Sequence, residues 1–201
     1  MLSGRMESTK SEITQTTAAT DTSSATDLGY IDSLLDLAYK LVWKEQEYDE
    51  AVDVLMEVLG SQISAYGKYH RETASTFSFI GTTLWFARDY HKALNYLCES
   101  KRIFHRIATT SGGNNQETET AGKEPKAVTQ INNRITKILE RLGLNPFDIA
   151  KYHDILDSTI EHERVSNKYQ RLGDKHMTRL EMHKAKKCSE ELKRLVKHRL
   201  C

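Results

Sequence analysis

One pattern occurs twice in this chain, 42 positions apart. Tyr48-Asp-Glu-Ala51 returns as Tyr90-His-Lys-Ala93. At the same offset Trp43 falls on Trp85, Leu55 on Leu97, Glu57 on Glu99 and Ser33 on Ser75. The apolar positions repeat as well: Leu35 on Phe77, Ala38 on Ile80, Val42 on Leu84 and Val52 on Leu94. A period in this range restricts a chain more than its composition does. Each unit buries only one face, so its other face needs a neighbouring unit to cover it.

The units read as helical hairpins. Apolar residues at Ile31, Leu34, Leu35, Ala38, Leu41 and Val42 follow at spacings of three and four, one face of a helix, with Asp27 as expected N-cap. A second helix runs from about Tyr48 past Leu59, a third covers about 70–87 and a fourth about 90–109. Only two prolines, Pro125 and Pro146, interrupt the whole chain, and no alternating strand pattern competes. An all-α fold is predicted. Ala51 and Ala93 let the two helices of a hairpin approach closely, Gly81 does so from the facing helix, and Tyr48 and Tyr90 plug the turns between them.

The phrase Tyr66-Gly-Lys-Tyr-His-Arg-Glu-Thr-Ala74 sets Gly67, His70, Thr73 and Ala74 ahead of the third helix. With the repeated Tyr-x-x-Ala, this resembles tetratricopeptide repeats of the longer, roughly 42-residue kind found in kinesin light chains. Arg71 stands where that kind has a proline. The resemblance covers about 31–104 and implies a short α-α solenoid with a non-enzymatic, protein-binding role. The heptad segment through which kinesin light chains join their heavy chain has no counterpart here. The Lys/Asn/Arg set by which chaperone-binding repeats hold a terminal carboxylate is also missing.

The expected organisation has four parts. Residues 1–27 are Ser/Thr-rich and nearly free of large apolar residues, so they are expected to form a disordered tail. Residues 28–109 form two clear helical hairpins. Residues 110–125, rich in Gly, Asn and acids, form a flexible loop. Residues 126–201 hold a degenerate third repeat over 126–160, with Phe147-Asp-Ile-Ala150 placed like Tyr48–Ala51, and C-terminal capping helices. Gly143 suits a helix C-terminus, Asn145 an N-cap and Pro146 a first turn.

The implied groove is lined by the first helices of the hairpins. The expected partner-binding residues are Lys40, Trp43, Lys44, Ser78, Thr82, Trp85 and Phe86, with Ser33, Asp36 and Ser75 also exposed there. Core packing is the other reading of the two tryptophans. Tyr48, Ala51, Gly81, Tyr90 and Ala93 are expected to pack the repeats.

Catalysis finds no support in the sequence: no phosphate loop, nucleophile elbow or His-Glu-x-x-His phrase occurs. Asp154, Asp157 and Glu161, with His153 and His162, share one stretch of helix, but one helix offers too few converging ligands for a metal. They read as a solvated acidic face, and His176 and His183 as surface residues. No catalytic residue, metal or cofactor is expected. Three widely spaced cysteines, Cys98, Cys188 and Cys201, fit a reducing compartment. A cytoplasmic protein is expected, with the nucleus as an alternative. The chain as a whole is nearly neutral, with 29 Lys/Arg against 28 Asp/Glu, so nothing global points to nucleic acid. Charge is nonetheless uneven: residues 31–60 are acidic and residues 161–201 basic. The rival to a peptide-binding scaffold is therefore a nucleic-acid- or anionic-membrane-associated protein acting through its basic C-terminal helix.

Overall fold

A computed structural model of the protein describes residues 21–110 and 126–197. The expected tail up to residue 20 and the expected loop from 111 to 125 lie outside the described residues. The rest is all-α: α1 (Asp21–Lys40), a π turn (Leu41–Glu45), α2 (Tyr48–Tyr66), α3 (Arg71–Phe86), α4 (Tyr90–Thr110), α5 (Lys126–Arg141), α6 (Pro146–Arg171) and α7 (Lys175–Lys197). α1 begins at Asp21, six residues before the expected cap at Asp27, so part of the expected tail is helix. Ser, Thr, Ala and Asp in 21–27 give no apolar stripe from which to read that turn.

Helices adjacent in sequence pack in order, α1 on α2, α2 on α3, α3 on α4 and α4 on α5. Their shared core runs from Ala38 through Leu55, Ile80 and Leu97 to Ile135, Ile138, Leu139 and Leu156. Ala51 and Ala93 are fully buried, as close helix approach requires. A Cβ built on Gly81 would lie 2.8 Å from Leu97 Cγ and 3.1 Å from the Ala93 carbonyl oxygen, so α3 and α4 cross with no room for a side chain.

The repeated turns have matching backbones. Gln46 and Arg88, 42 positions apart, both adopt the left-handed conformation, with φ of 60° and 64°. Tyr48 and Tyr90 are half-buried just beyond these turns. The Gly67–Ala74 phrase also acquires physical roles. Gly67 sits at φ 84°. His70 Nδ1 accepts the Glu72 N–H at 3.3 Å as the N-cap of α3. Thr73 Oγ1 donates to the Gly67 carbonyl at 3.1 Å. Ala74 is fully buried, and its carbonyl accepts from Ser100 Oγ at 2.7 Å, tying α3 to α4.

Beyond α4 the packing changes. Gly143 adopts φ 76° after α5. Asn145 Oδ1 then accepts the Asp148 N–H at 2.8 Å, with Pro146 opening α6. Phe147 is 78% exposed and Ala150 is exposed, so this phrase does not repeat the roles of Tyr48 and Ala51. Ile149, between them, takes the buried position. α6 instead packs along its length against α7, across a turn at Gly173 (φ 76°) capped by Asp174. Ala185, Leu192 and Val196 of α7 are buried, so the apolar side of the basic C-terminal helix faces protein.

Buried Glu181 on α7 meets His162 Nδ1 on α6 at 2.7 Å and Lys184 Nζ at 2.8 Å. The hydrogen bond from Lys184, with that to His162, holds its carboxyl below the ordinary glutamate value. At Glu99 burial pushes the carboxyl up, but Lys68 and Arg102 outweigh it and the net shift is downward. Carboxylates with lowered folded-state values add stability that is complete above about pH 5 and is lost as pH falls through them. Thermal melts from pH 6 to pH 3 are expected to show a steep acid-side loss of Tm. Glu181→Gln should flatten that loss, and an unchanged slope would show that the α6–α7 contact does not carry it.

Candidate binding face

α1 and α3, the first helices of the two hairpins, carry a ladder of aromatic rings. Tyr39 on α1 meets Phe79 on α3 with ring centroids 4.6 Å apart. One helical turn on, Trp43 meets Phe86 edge-on at 5.2 Å. Phe79 and Phe86, seven residues apart, project from one face of α3, and Tyr39 on α1 and Trp43 in the π turn after it each meet one of them. Phe86 also stacks on Trp85 at 5.3 Å and on Tyr48 at 6.1 Å, joining both indoles to one cluster.

This ladder is open to solvent on its α1 side. Tyr39 is 53% and Trp43 58% exposed. Phe79, Trp85 and Phe86 are half-buried, with Leu41, Val42 and Ala51 beneath part of the cluster. Trp43 and Lys44 lie in the π turn at the end of α1. A π turn is uncommon and breaks the 3.6-residue period, re-aiming the side chains it carries. The sequence holds no plain signal for it.

The residues expected to line a groove divide into two groups. Lys40 and Lys44 are exposed, with Lys40 Nζ bound to Glu45 at 2.9 Å. Ser33, Asp36 and Ser75 are exposed too. Trp43, Trp85 and Phe86 come together as described. Ser78 and Thr82, however, are buried, which corrects the expectation that they face solvent. α5 lies against α3 on this side, and Arg134 Nη1 donates to Ser78 Oγ at 2.8 Å, while Thr82 Oγ1 turns back to the Ser78 carbonyl at 2.8 Å. Burial disfavours the charged form of Arg134. Sequence reasoning missed Tyr39, Phe79 and Arg134. Tyr39 lies four residues before Trp43 and Phe79 seven before Phe86, so both pairs were present as spacing.

The acidic face on α6 has structural duties. Asp157 pairs with Lys101 at 2.5 Å, Glu161 holds Arg164, and His153 Nε2 meets Thr136 Oγ1 at 2.9 Å. Among the described residues no group of three or more His, Cys, Asp or Glu is placed to hold a metal ion, and no helix is long and apolar enough to cross a membrane.

Residues 30–104, the segment that carries the repeated turns and the aromatic ladder, match the family model for the tetratricopeptide repeat. No curated protein and no solved structure matches the chain. By this match and by the helical hairpins that carry it, residues 30–104 are similar to tetratricopeptide repeats.

Proposed function

We propose that the protein is a non-enzymatic scaffold that holds a peptide or helix of another protein on the face formed by α1 and α3. Tetratricopeptide repeats in general mediate protein–protein contacts, which supports this class of role. The carrying observation is the solvent-open aromatic ladder, above all Trp43, an indole 58% exposed yet seated edge-on against Phe86. Large rings held in place by neighbours lose little freedom on binding and commonly anchor interfaces. Lys44, exposed beside Trp43, offers a cation at the rim. The basic stretch toward the end of α7 is a weaker candidate for a binding surface, because its apolar residues Ala185, Leu192 and Val196 are buried against protein.

Iodide quenching tests the face in two stages. In the free protein, the Trp85→Phe variant, which leaves Trp43 as reporter, is expected to be quenched strongly. The Trp43→Phe variant, which leaves half-buried Trp85, should be quenched weakly. On adding a captured partner, Trp43 should become protected, and Trp43→Ala should weaken binding by more than about 1 kcal/mol, about fivefold. A Trp43 signal unchanged by a bound partner would place the binding surface elsewhere.

A further inference from the structure

A separate cleft of about 740 Å³ lies between α4 and α6, with Lys68 and Tyr69 of the α2–α3 turn on one side and Leu172 and Met182 on the other. Its origin is geometric. α4 and α6 run roughly parallel and are joined by Cys98 to Tyr152, Lys101 to Asp157 and Arg102 to Glu163. The cleft lies beside these contacts, with buried Ile160 in its lining.

Cations dominate the walls. Lys68 and Arg102 are occupied by Glu99, at 2.8 and 3.3 Å, and Arg102 also lies 3.3 Å from Glu163. Arg164 is held by Glu161 of its own helix. Lys168 and Arg171, by contrast, are exposed and have no ion pair among the described residues. Beside them are two exposed apolar side chains, Leu172 at 69% and Met182 at 53%. Cations without acids next to apolar groups without cover match a ligand that carries both carboxylates and an apolar side chain. Of the cleft's rings, Tyr69 is already engaged, with the Arg106 guanidinium 3.6 Å and Lys68 Nζ 5.9 Å from its centroid, and the other is the small imidazole of His105. No Trp or Phe, the larger platforms on which nucleic-acid bases stack, lines the cleft among the described residues.

We propose that this cleft is a second docking site, distinct from the α1–α3 face, and that it takes an acidic segment of a partner protein. Carboxylates of that segment pair with Lys168 and Arg171, and an apolar side chain lies on Ile160, Leu172 and Met182. Such a site lets one small scaffold hold two ligands at once, since the two sites share no residue.

Anisotropy of a fluorescein-labelled peptide of repeating Glu-Glu-Leu, titrated with the full chain, tests the site. Saturable, salt-weakened binding is expected. Lys168→Glu with Arg171→Glu should weaken it by about tenfold or more. Leu172→Ser should weaken it less, and Trp43→Ala not at all. These positions are exposed, so unchanged thermal melts should accompany the losses. Absent binding, binding that survives the double charge reversal, or binding lost instead in Trp43→Ala overturns the proposal. So does tighter binding of a uridine oligonucleotide that the same double reversal abolishes, which would make the cleft a nucleic-acid site.

Discussion

Leu97→Ala is expected to destabilise the protein by about 2–5 kcal/mol, and Gly81→Ala by about 1–3 kcal/mol, yet the two changes together should cost less than their sum. Leu97 is fully buried and lies opposite Gly81 where α4 crosses α3. Truncating it leaves a void. Adding a Cβ at Gly81 drives that carbon to 2.8 Å from Leu97 Cγ, which has nowhere to go. In the Leu97→Ala background the clash with Leu97 is gone, and Ala's better helix propensity, about 1 kcal/mol, can appear. The Ala93 carbonyl at 3.1 Å keeps the rescue partial. Chemical denaturation of the two single variants and the double variant measures the coupling. Strict additivity would mean that the α3–α4 crossing is looser than described.

Removing Asp157 should be almost as damaging, although the residue is on the surface. Its partner Lys101 is 3% exposed and has no other ion pair or hydrogen bond among the described residues, and the ion contact at 2.5 Å joins α4 to α6. Deleting one member of a fully buried pair costs about 3–5 kcal/mol, because the other charge is left uncompensated. Asp157 is 60% exposed, so water can partly replace it and about 1–3 kcal/mol is expected for Asp157→Ala. Lys101→Met should be nearly neutral, and adding it to Asp157→Ala should restore the loss. Urea denaturation of the three variants decides this. An Asp157→Ala protein as stable as its parent would show that water already solvates the ammonium.

The repeat was legible because packing writes it into small residues. Ala51 and Ala93 must be small where helices cross, and Tyr48 and Tyr90 follow turns of the same shape, so these positions carried the 42-residue offset, with Gly81 as a further small residue at the second crossing. The backbone of those turns was not legible, since Gln46 and Arg88 are not glycines and do not announce a positive φ. The aromatic ladder was half legible. Trp43, Trp85 and Phe86 stood out by residue type. Tyr39 and Phe79 needed knowledge of which two helices lie side by side. Ser78 and Thr82 were misplaced for the same reason: a polar residue on a first helix looks solvent-facing until α5 is laid against it. The cleft was hidden more deeply. Its cations come from α4, α6 and the α2–α3 turn, and no linear pattern joins them. Asp157 likewise reads as one more acid on a solvated face until Lys101 is found beneath it.

The central claim is that partners sit on the α1–α3 face, and site-specific photo-crosslinking tests it most directly. Benzoylphenylalanine placed at Asp36 or Ser75 stands exposed on α1 and α3, in line with the ladder. Placed at Asp53 or Glu57, it stands exposed on α2, outside the ladder. Irradiation with a captured partner is expected to give adducts at positions 36 and 75, lost when Trp43→Ala is added, and little at 53 and 57. Adducts confined to 53 and 57, or adducts at 36 and 75 that persist without Trp43, would contradict the account.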